Sequence, residues 1–333
     1  MKILSIWIGL ICAAALSGPA SAGETYYDAG TKALPLQQAA GTARATAMGS
    51  AAVAVPQGSA SLLWNPAGLS RLDCMEAGIH HYSGLGGIIQ ETLLFGMPLG
   101  KAEGCKENCK GKGSLGGIAA SLGYVTYGEF DARNDLGGDA GTYRAGDLST
   151  SLGWGLDLLP GLSGGIALKG NQSRFDGKAY NAYTTDIGFM YTLIRDLDLG
   201  LSYSNVNLGG KIGGSKLASG LRLGAAWTLD KDLLLTAASE IQNKAVNRLQ
   251  LGTEYLIGNT GKEDARVLAL RAGYQANFPD PKLSGLTGLT LGLGYMLNHA
   301  WTLDYAMVPT GELGTSHRFS LTYKFNCPAK KSV

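Results

Sequence analysis

The sequence is poor in charged residues, which make up 16 % of the chain against an ordinary share of ~25 %. Histidine is scarce, with 4 residues, so few bases are available for a catalytic nucleophile–base pair. Proline is limited to 10 residues and glycine shows no Gly-X-Y period, which excludes collagen and proline-rich linkers. Glycine is nevertheless abundant, with 50 of 333 residues, and hydrophobic residues reach a normal 45 %. This combination favours an architecture of strands and turns.

Signals for nucleic-acid binding and for catalysis are weak. The net charge is +2, the basic residues are scattered singly, and no nucleic-acid partner is expected. The glycine-rich stretch from Gly209 to Lys216 has Ser and Lys in the wrong order for a phosphate loop. Neither His80 nor His81 adjoins a Gly-x-Ser-x-Gly turn. We therefore expect no enzymatic activity, no cofactor and no metal site.

The N-terminus is typical of an exported protein. Lys2 is followed by an apolar run from Ile3 to Leu16, and Ala20 and Ala22 fit a signal-peptidase site. About 14 apolar residues are too few to span a bilayer, for which roughly 20 are needed. Residues 1–22 are therefore predicted to be a signal peptide, and the mature chain could enter a membrane only as a closed barrel, since no later segment is a candidate spanning helix.

Alternation of apolar with polar or small residues predicts fourteen strands. In residues 197–203 the odd positions are apolar, and residues 289–297 repeat the pattern. An even number of strands of about ten residues is typical of an antiparallel transmembrane β-barrel in the bacterial outer membrane. The predicted strands are 75–83, 88–99, 115–127, 147–158, 164–174, 183–193, 197–207, 217–229, 233–242, 248–257, 266–277, 288–298, 301–309 and 316–325.

Connection lengths and aromatic residues support this interpretation. Most even-numbered connections are short, as expected of periplasmic turns, whereas the longest ordinary outer loop is predicted at 128–146, with others at 175–182 and 278–287. Two even connections, 100–114 and 258–265, break the rule. Aromatic residues on the apolar face are expected near both membrane boundaries. They are Trp154, Tyr191, Trp227, Tyr255, Tyr295, Trp301, Tyr323 and Phe325 at the periplasmic end, with Tyr124, Tyr203 and Tyr274 at the outer end.

The charges inside the predicted strands fall on the opposite face, which is therefore expected to line the lumen. They are either paired across strands or available to a solute. Arg222, Glu254, Arg271 and Asp304 are the leading candidates. The remaining members are Asp157, Lys169, Asp186, Asp198, Glu240, Arg318 and Lys324.

The segment 23–72 has no strand alternation and is predicted to form a small, partly helical plug. Fourteen strands enclose a lumen too wide for their own side chains, since about eight already reach that limit. Asn65 is a strong N-cap and Pro66 suits the first position of a helix, so a short helix is predicted there. The barrel is expected over 73–327, followed by a tail at 328–333.

Two stretches carry a family resemblance. The stretch from Gly41 to Val55, followed by Ser61 to Leu69 with its Trp-Asn-Pro-Ala-Gly-Leu sequence, resembles the N-terminal region of the FadL and PorV/PorQ outer-membrane families. The last strand, His317 to Phe325, is similar to the end of PorV-type barrels. The resemblance implies that a plug inside the barrel includes the motif, which consists of Trp64, Asn65, Pro66, Ala67 and Gly68.

The FadL resemblance implies passive uptake of small hydrophobic molecules across the outer membrane. The PorV resemblance implies a surface platform that receives or anchors secreted proteins, and a purely structural outer-membrane protein is a third possibility. The expected partners are outer-membrane lipid, the barrel-assembly machinery, and either a small hydrophobic ligand or a secreted protein.

Four cysteines follow the predicted signal peptide, an even number in an oxidising compartment. Barrel closure places the first strand beside the last, so we expect Cys74 to pair with Cys327 and Cys105 with Cys109. Four free thiols remain an alternative. A metal site is disfavoured, because Cys105 and Cys109 lack a second nearby pair of ligands.

Overall fold

The computed structural model describes residues 32–34, 41–100, 115–243, 246–258, 266–278 and 285–325. Within them fourteen antiparallel strands close into one barrel, with β1 beside β14, which confirms the predicted fold. The strands are β1 (Met75–Ser83), β2 (Ile89–Pro98), β3 (Gly117–Arg133), β4 (Asp139–Leu159), β5 (Leu162–Phe175), β6 (Lys178–Ile194), β7 (Leu197–Gly210), β8 (Gly220–Leu229), β9 (Leu233–Gln242), β10 (Asn247–Gly258), β11 (Arg266–Phe278), β12 (Leu289–Leu297), β13 (Trp301–Pro309) and β14 (Thr315–Phe325).

We call the end of the barrel at which β1 begins and β14 ends the near end, and the opposite end the far end. The predicted signal peptide 1–22 and tail 328–333 lie outside the described residues, as does most of 23–40. Among the residues that the structure describes, no helix has the length and apolarity needed to cross a membrane.

The prediction of long far-end loops at 128–146 and 175–182 is wrong. β3 continues to Arg133 and β4 begins at Asp139, so most of the first region is a hairpin; in the second, only residues 176–177 separate β5 from β6. β2 pairs with β3 only as far as Thr126, so the hairpin extends past its neighbour. Aromatic contacts stabilise the extension, with the ring centroids of Phe130 and Tyr143 5.4 Å apart. These contacts join residues distant in sequence, and alternation alone could not predict them.

The two faces of the sheet differ as the alternation predicts. In β12, Leu291 and Leu293 point outward and are 39 % and 51 % exposed, whereas Thr290 of the same strand points inward and is buried. The same outward exposure of large apolar side chains recurs on every strand, over a far larger area than a soluble protein presents. The aromatic residues Trp154, Tyr191, Tyr255, Tyr295 and Trp301 are among those exposed. An outer-membrane barrel needs such an apolar outer band.

The segment 41–72 lies inside the barrel as a plug, as predicted. It contains helix α1 (Ala43–Ala47) and two 3-10 helices, η1 (Gly58–Leu63) and η2 (Pro66–Arg71). Met48, Leu62 and Leu69 of the plug are fully buried. Since the outward face of the barrel meets solvent or lipid, the hydrophobic core of the molecule sits between the plug and the inner wall.

Glycines on the inner wall let the plug approach the strands closely. A methyl group in place of the glycine hydrogen at Gly188 would overlap the side chain of Asn65, and one at Gly273 would overlap the backbone at Gly49. Similar overlaps with the plug occur on β2 to β5, β7, β8, β10 and β12. The glycines concerned are Gly96, Gly117, Gly153, Gly155, Gly165, Gly200, Gly224, Gly252 and Gly292. Part of the glycine excess therefore serves the fit between plug and wall.

We predict that Cys74 and Cys327 close the seam of the barrel. Cys74 is buried and disulfide-bonded, whereas the other cysteines, including Cys105, Cys109 and Cys327, lie outside the described residues. Met75 pairs with Phe325 across the seam, and these residues are next to Cys74 and two before Cys327. Non-reducing peptide mapping should recover a Cys74–Cys327 peptide; a Cys74 peptide linked to Cys105 or Cys109 would overturn the pairing.

We predict that replacing Gly188 with Val dislodges the plug, because the new side chain would collide with Asn65. Gly209→Val is the matched control, since Gly209 is also a strand glycine but has open space around it. Hydrogen–deuterium exchange of peptides from residues 41–72 should rise at least about tenfold in Gly188→Val and remain at the wild-type rate in Gly209→Val. Equal protection of the plug in both variants would show that the contact is dispensable.

Candidate functional site

Asn65 joins three parts of the molecule and is almost completely buried. Its side-chain oxygen accepts from the backbone N–H of Ala67 at 3.1 Å, which caps η2 as predicted from the sequence. Its amide nitrogen donates to the carbonyl of Val53 at 2.8 Å and to the carbonyl of Phe189 in β6 at 3.0 Å. One side chain thus starts a helix, links two plug segments and ties both to the wall.

The rest of the Trp-Asn-Pro-Ala-Gly motif is also buried in the plug. Trp64 lies below the guanidinium of Arg222, whose carbon is 5.6 Å from the ring centroid. Pro66 occupies the first turn of η2, and Ala67 is fully enclosed. A side chain at Gly68 would meet the hydroxyl of Ser61, about 2.7 Å from the added carbon. The motif therefore defines the internal packing of the plug and its contact with β6.

Three of the four leading lumen charges meet in one network, which a plug residue completes. Glu254 of β10 accepts from Arg271 of β11 at 2.6 Å, and Arg271 donates to Asp304 of β13 at 2.7 Å. Arg44 of α1 donates twice to Glu254, at 2.6 and 2.9 Å. Because Arg44 belongs to the plug and its partners to the wall, this network joins α1 to the barrel.

Arg44 stays charged in its partly buried position between the plug and the wall. Burial by itself favours the neutral guanidine, but the charge of Glu254 and the hydrogen bonds to it outweigh that effect and raise the pKa of Arg44 above its ordinary value. Removing Arg44 would leave the buried carboxylate of Glu254 with Arg271 as its cationic partner, and this loss would destabilise the network.

The fourth leading charge, Arg222, lies in a second network, whose ion pairs are all between wall residues. It donates to Glu240 of β9 at 2.9 Å, and Arg248 of β10 donates to the other oxygen of Glu240 at 2.9 Å. Elsewhere in the wall, Lys169 of β5 pairs with Asp186 of β6. Cross-strand pairing thus accounts for these charges, one of the two possibilities left open by the sequence.

A third ionic contact ties the end of the plug to the near end of the barrel. Arg71 of η2 donates to both oxygens of Asp198, at 2.7 and 2.8 Å, and to the hydroxyl of Thr192 at 2.8 Å. Sequence reasoning missed both Arg71 and Arg44. A signal was present, because residues 41–72 contain these two arginines and no acidic residue, whereas the inner wall carries several carboxylates.

Hydrogen bonds that involve no ion pair fix the plug at further strands. Ser59 donates through its backbone N–H and its hydroxyl to Glu76 of β1, at 2.6 and 2.7 Å. The backbone N–H of Ala43 donates to the hydroxyl of Ser320 in β14 at 2.8 Å, and that of Gly49 to the hydroxyl of Thr290 in β12 at 2.9 Å. The plug is therefore anchored around much of the circumference of the wall.

The plug separates two cavities. The far chamber lies on the far side of the plug, with Leu63 and Arg222 among its lining residues. The near chamber lies on the other side and is lined by Arg44 and its partners Glu254, Arg271 and Asp304. Among the described residues, no group of three or more His, Cys, Asp or Glu side chains is placed to hold a metal ion.

The sequence matches no family model. It matches no curated protein either. The structure is similar to that of the Pseudomonas putida toluene transporter TodX, with 14 % identity, a TM-score of 0.56, and coverage of 84 % of this chain and 96 % of TodX. For the TodX deltaS2 mutant, described as a monoaromatic hydrocarbon channel, the identity is 14 %, the TM-score 0.54 and the coverage 88 % and 100 %.

The monoaromatic hydrocarbon channel CymD has 12 % identity and a TM-score of 0.50, and the match covers 84 % of this chain and 96 % of CymD. At such low identities the likeness concerns the fold. The resemblance to PorV and PorQ stays a prediction. With its closed fourteen-stranded wall and N-terminal plug, the chain has the fold of the FadL-like outer-membrane barrels.

Proposed function

We propose that this chain is a plugged outer-membrane channel, without enzymatic activity, that lets small hydrophobic molecules pass passively. In the proposed orientation, the near end of the barrel faces the periplasm and the far end faces the outside of the cell. The observation that carries the proposal is the position of the plug between two chambers. It is attached to β1 through the chain and to the rest of the described wall through the non-covalent contacts above, so it can shift without breaking a strand pairing.

The class of solute is supported by the neighbours in structure. TodX is named as a toluene transporter and CymD as a monoaromatic hydrocarbon channel.

Arg44 holds α1 over the near chamber, so its loss should open the path. We test this with cells whose outer membrane otherwise excludes a radiolabelled monoaromatic hydrocarbon. Arg44→Met should raise their uptake of it about tenfold to a hundredfold, because one lost hydrogen bond to a charged group is worth roughly 1.5–3 kcal/mol. Arg195→Met, at an exposed arginine of a near-end turn, is the matched control and should leave uptake unchanged.

If the solute passes passively, an uncoupler of the proton-motive force should leave the initial uptake rate unchanged. Cells that produce the protein but take up the hydrocarbon no faster than cells without it would rule out the transport function and favour a structural role. A rise in Arg195→Met equal to that in Arg44→Met would rule out the role of the Arg44 contact.

A second candidate function is a platform for a secreted protein, and the β3–β4 hairpin is the observation in its favour. Leu136 at the tip is 97 % exposed, and Phe130 is exposed on the extension. Among the residues that the structure describes, none pairs with the β3 edge beyond Thr126 on the β2 side. Open strand edges and exposed apolar side chains are features that partner proteins bind.

Shortening this hairpin separates the two functions. Deletion of residues 129–144 should remove a stoichiometric protein partner from the natively extracted complex if the chain is a platform, since the open edge goes with it. Under the transport function the deletion should leave hydrocarbon uptake close to the wild-type rate. Native mass spectrometry of the complex and the uptake assay on the same cells give the two readouts.

A further inference from the structure

The outward face of β1, β2, β13 and β14 carries a group of polar side chains in an otherwise apolar band. His81 donates through Nδ1 to a carboxylate oxygen of Glu91 at 2.6 Å. On the neighbouring strands, the hydroxyl of Tyr305 lies 2.8 Å from Nδ1 of His317. The ring of Phe319 joins the two pairs, with centroid distances of 6.4 Å to His81 and 5.0 Å to Tyr305. We call these five residues the outward polar patch.

The outward polar patch has unused polar atoms on its surface. Among the described residues, no partner is found for the second carboxylate oxygen of Glu91, whose side chain is half exposed, or for Nε2 of the partly exposed His317. When Tyr305 donates to Nδ1 of His317, Nε2 carries the proton of the imidazole and can donate to a carboxylate. Lipid acyl chains offer neither group a partner, and charged side chains that face them are destabilising. A polar partner that covers the patch would remove this cost.

The strand pairing gives the slope of the outward polar patch relative to the membrane. Glu91, His81 and Phe319 lie directly opposite one another on β2, β1 and β14. The same row of paired residues descends to Leu233 at the near end of β9 and rises to Asn181 at the far end of β6. From β14 to β2 the row therefore climbs towards the far end, by about 3 Å per strand at a tilt of about 40° and a strand spacing of ~4.8 Å.

Glu91 and His317 consequently lie at the same depth in the membrane. From Phe319 to Glu91 the row crosses two strand spacings and rises about 6 Å. His317 is two residues beyond Phe319 on the same face of β14, which raises it by about 5 Å along the tilted strand. An acid and a base thus stand at equal depth on the two sides of β1.

We propose that the outward polar patch is the surface on which two copies of this chain pair in the membrane. Copies with the same orientation are related by a two-fold axis along the membrane normal, which keeps every residue at its depth. With this axis in front of β1, Glu91 of one copy meets His317 of the other, and His317 of the first meets Glu91 of the second. The charges of the patch are therefore complementary to themselves.

The surroundings of the outward polar patch fit a second barrel. Ile79 and Leu93 are exposed on the same face and would pack against the partner copy. The connections beside the patch are short, at residues 84–88 between β1 and β2 and 310–314 between β13 and β14. Pairing rests on the outer-membrane location proposed above but not on the passage of a solute.

The test is energy transfer between donor-labelled and acceptor-labelled copies of the full-length protein in phospholipid vesicles. The wild type should show transfer that persists on dilution with lipid, as expected of a dimer. Glu91→His and His317→Glu should each weaken pairing at least about tenfold, because either change sets like groups opposite each other twice in the symmetric interface. Arg266→Glu is the control, since Arg266 is also a charged outward residue but lies outside the patch, on β11. It should pair like the wild type.

An equimolar mixture of Glu91→His and His317→Glu should regain the transfer of the wild type, because both acid–histidine contacts form again between unlike copies. The chain that carries both changes should pair with itself for the same reason. Pairing of either single variant at the wild-type level would overturn the interface. A wild-type protein that stays monomeric at every protein-to-lipid ratio would overturn it too, and that measurement depends on the folding of no variant. Hydrocarbon uptake by the same variants reports on the channel function separately.

Discussion

Close contact between the plug and a wall of glycines is the constraint on which the rest of the structure depends. The backbone of residues 47–54 and 65–70 comes so near the strands that a single methyl group has no room at many inner positions. Because the plug fits so closely, Asn65 reaches a carbonyl of β6 and Arg44 reaches Glu254. A wall of larger side chains would hold the plug away from these partners and leave buried polar groups without hydrogen bonds.

Much of the fold follows from the sequence, because a barrel strand has one apolar face and one polar face along its whole length. The bounds of β1, β9 and β13 agree with the predicted ranges, since the alternation stops where the turns begin. The early start of β4 at Asp139 was not predictable in this way. Residues 139–146 lack an apolar face, and their strand is stabilised instead by neighbours such as Phe130 that lie close only in the folded chain.

The candidate site was predictable in part. The cap at Asn65 depends on neighbours two residues away, so the sequence alone suffices for it. The pairing of Arg44 with Glu254 spans 210 residues and depends on which strand of a closed wall faces α1. Strand alternation places Glu254 inside the barrel but does not specify its angle around the barrel axis. The polar lining of the far chamber has the same origin, since its residues come together from β2 to β5, the plug and the opposite wall.

The inner face also carries information about strand register. On four strands a plug-facing glycine lies two residues from a charged side chain on the same face: Gly200 beside Asp198, Gly224 beside Arg222, Gly252 beside Glu254, and Gly273 beside Arg271. A slip of two residues keeps the apolar face outward, so lipid alone does not oppose it. In this barrel such a slip, in the appropriate direction, would drive a charge into the plug backbone. The plug therefore acts as a template that accepts one alignment of these strands and rejects its nearest alternative.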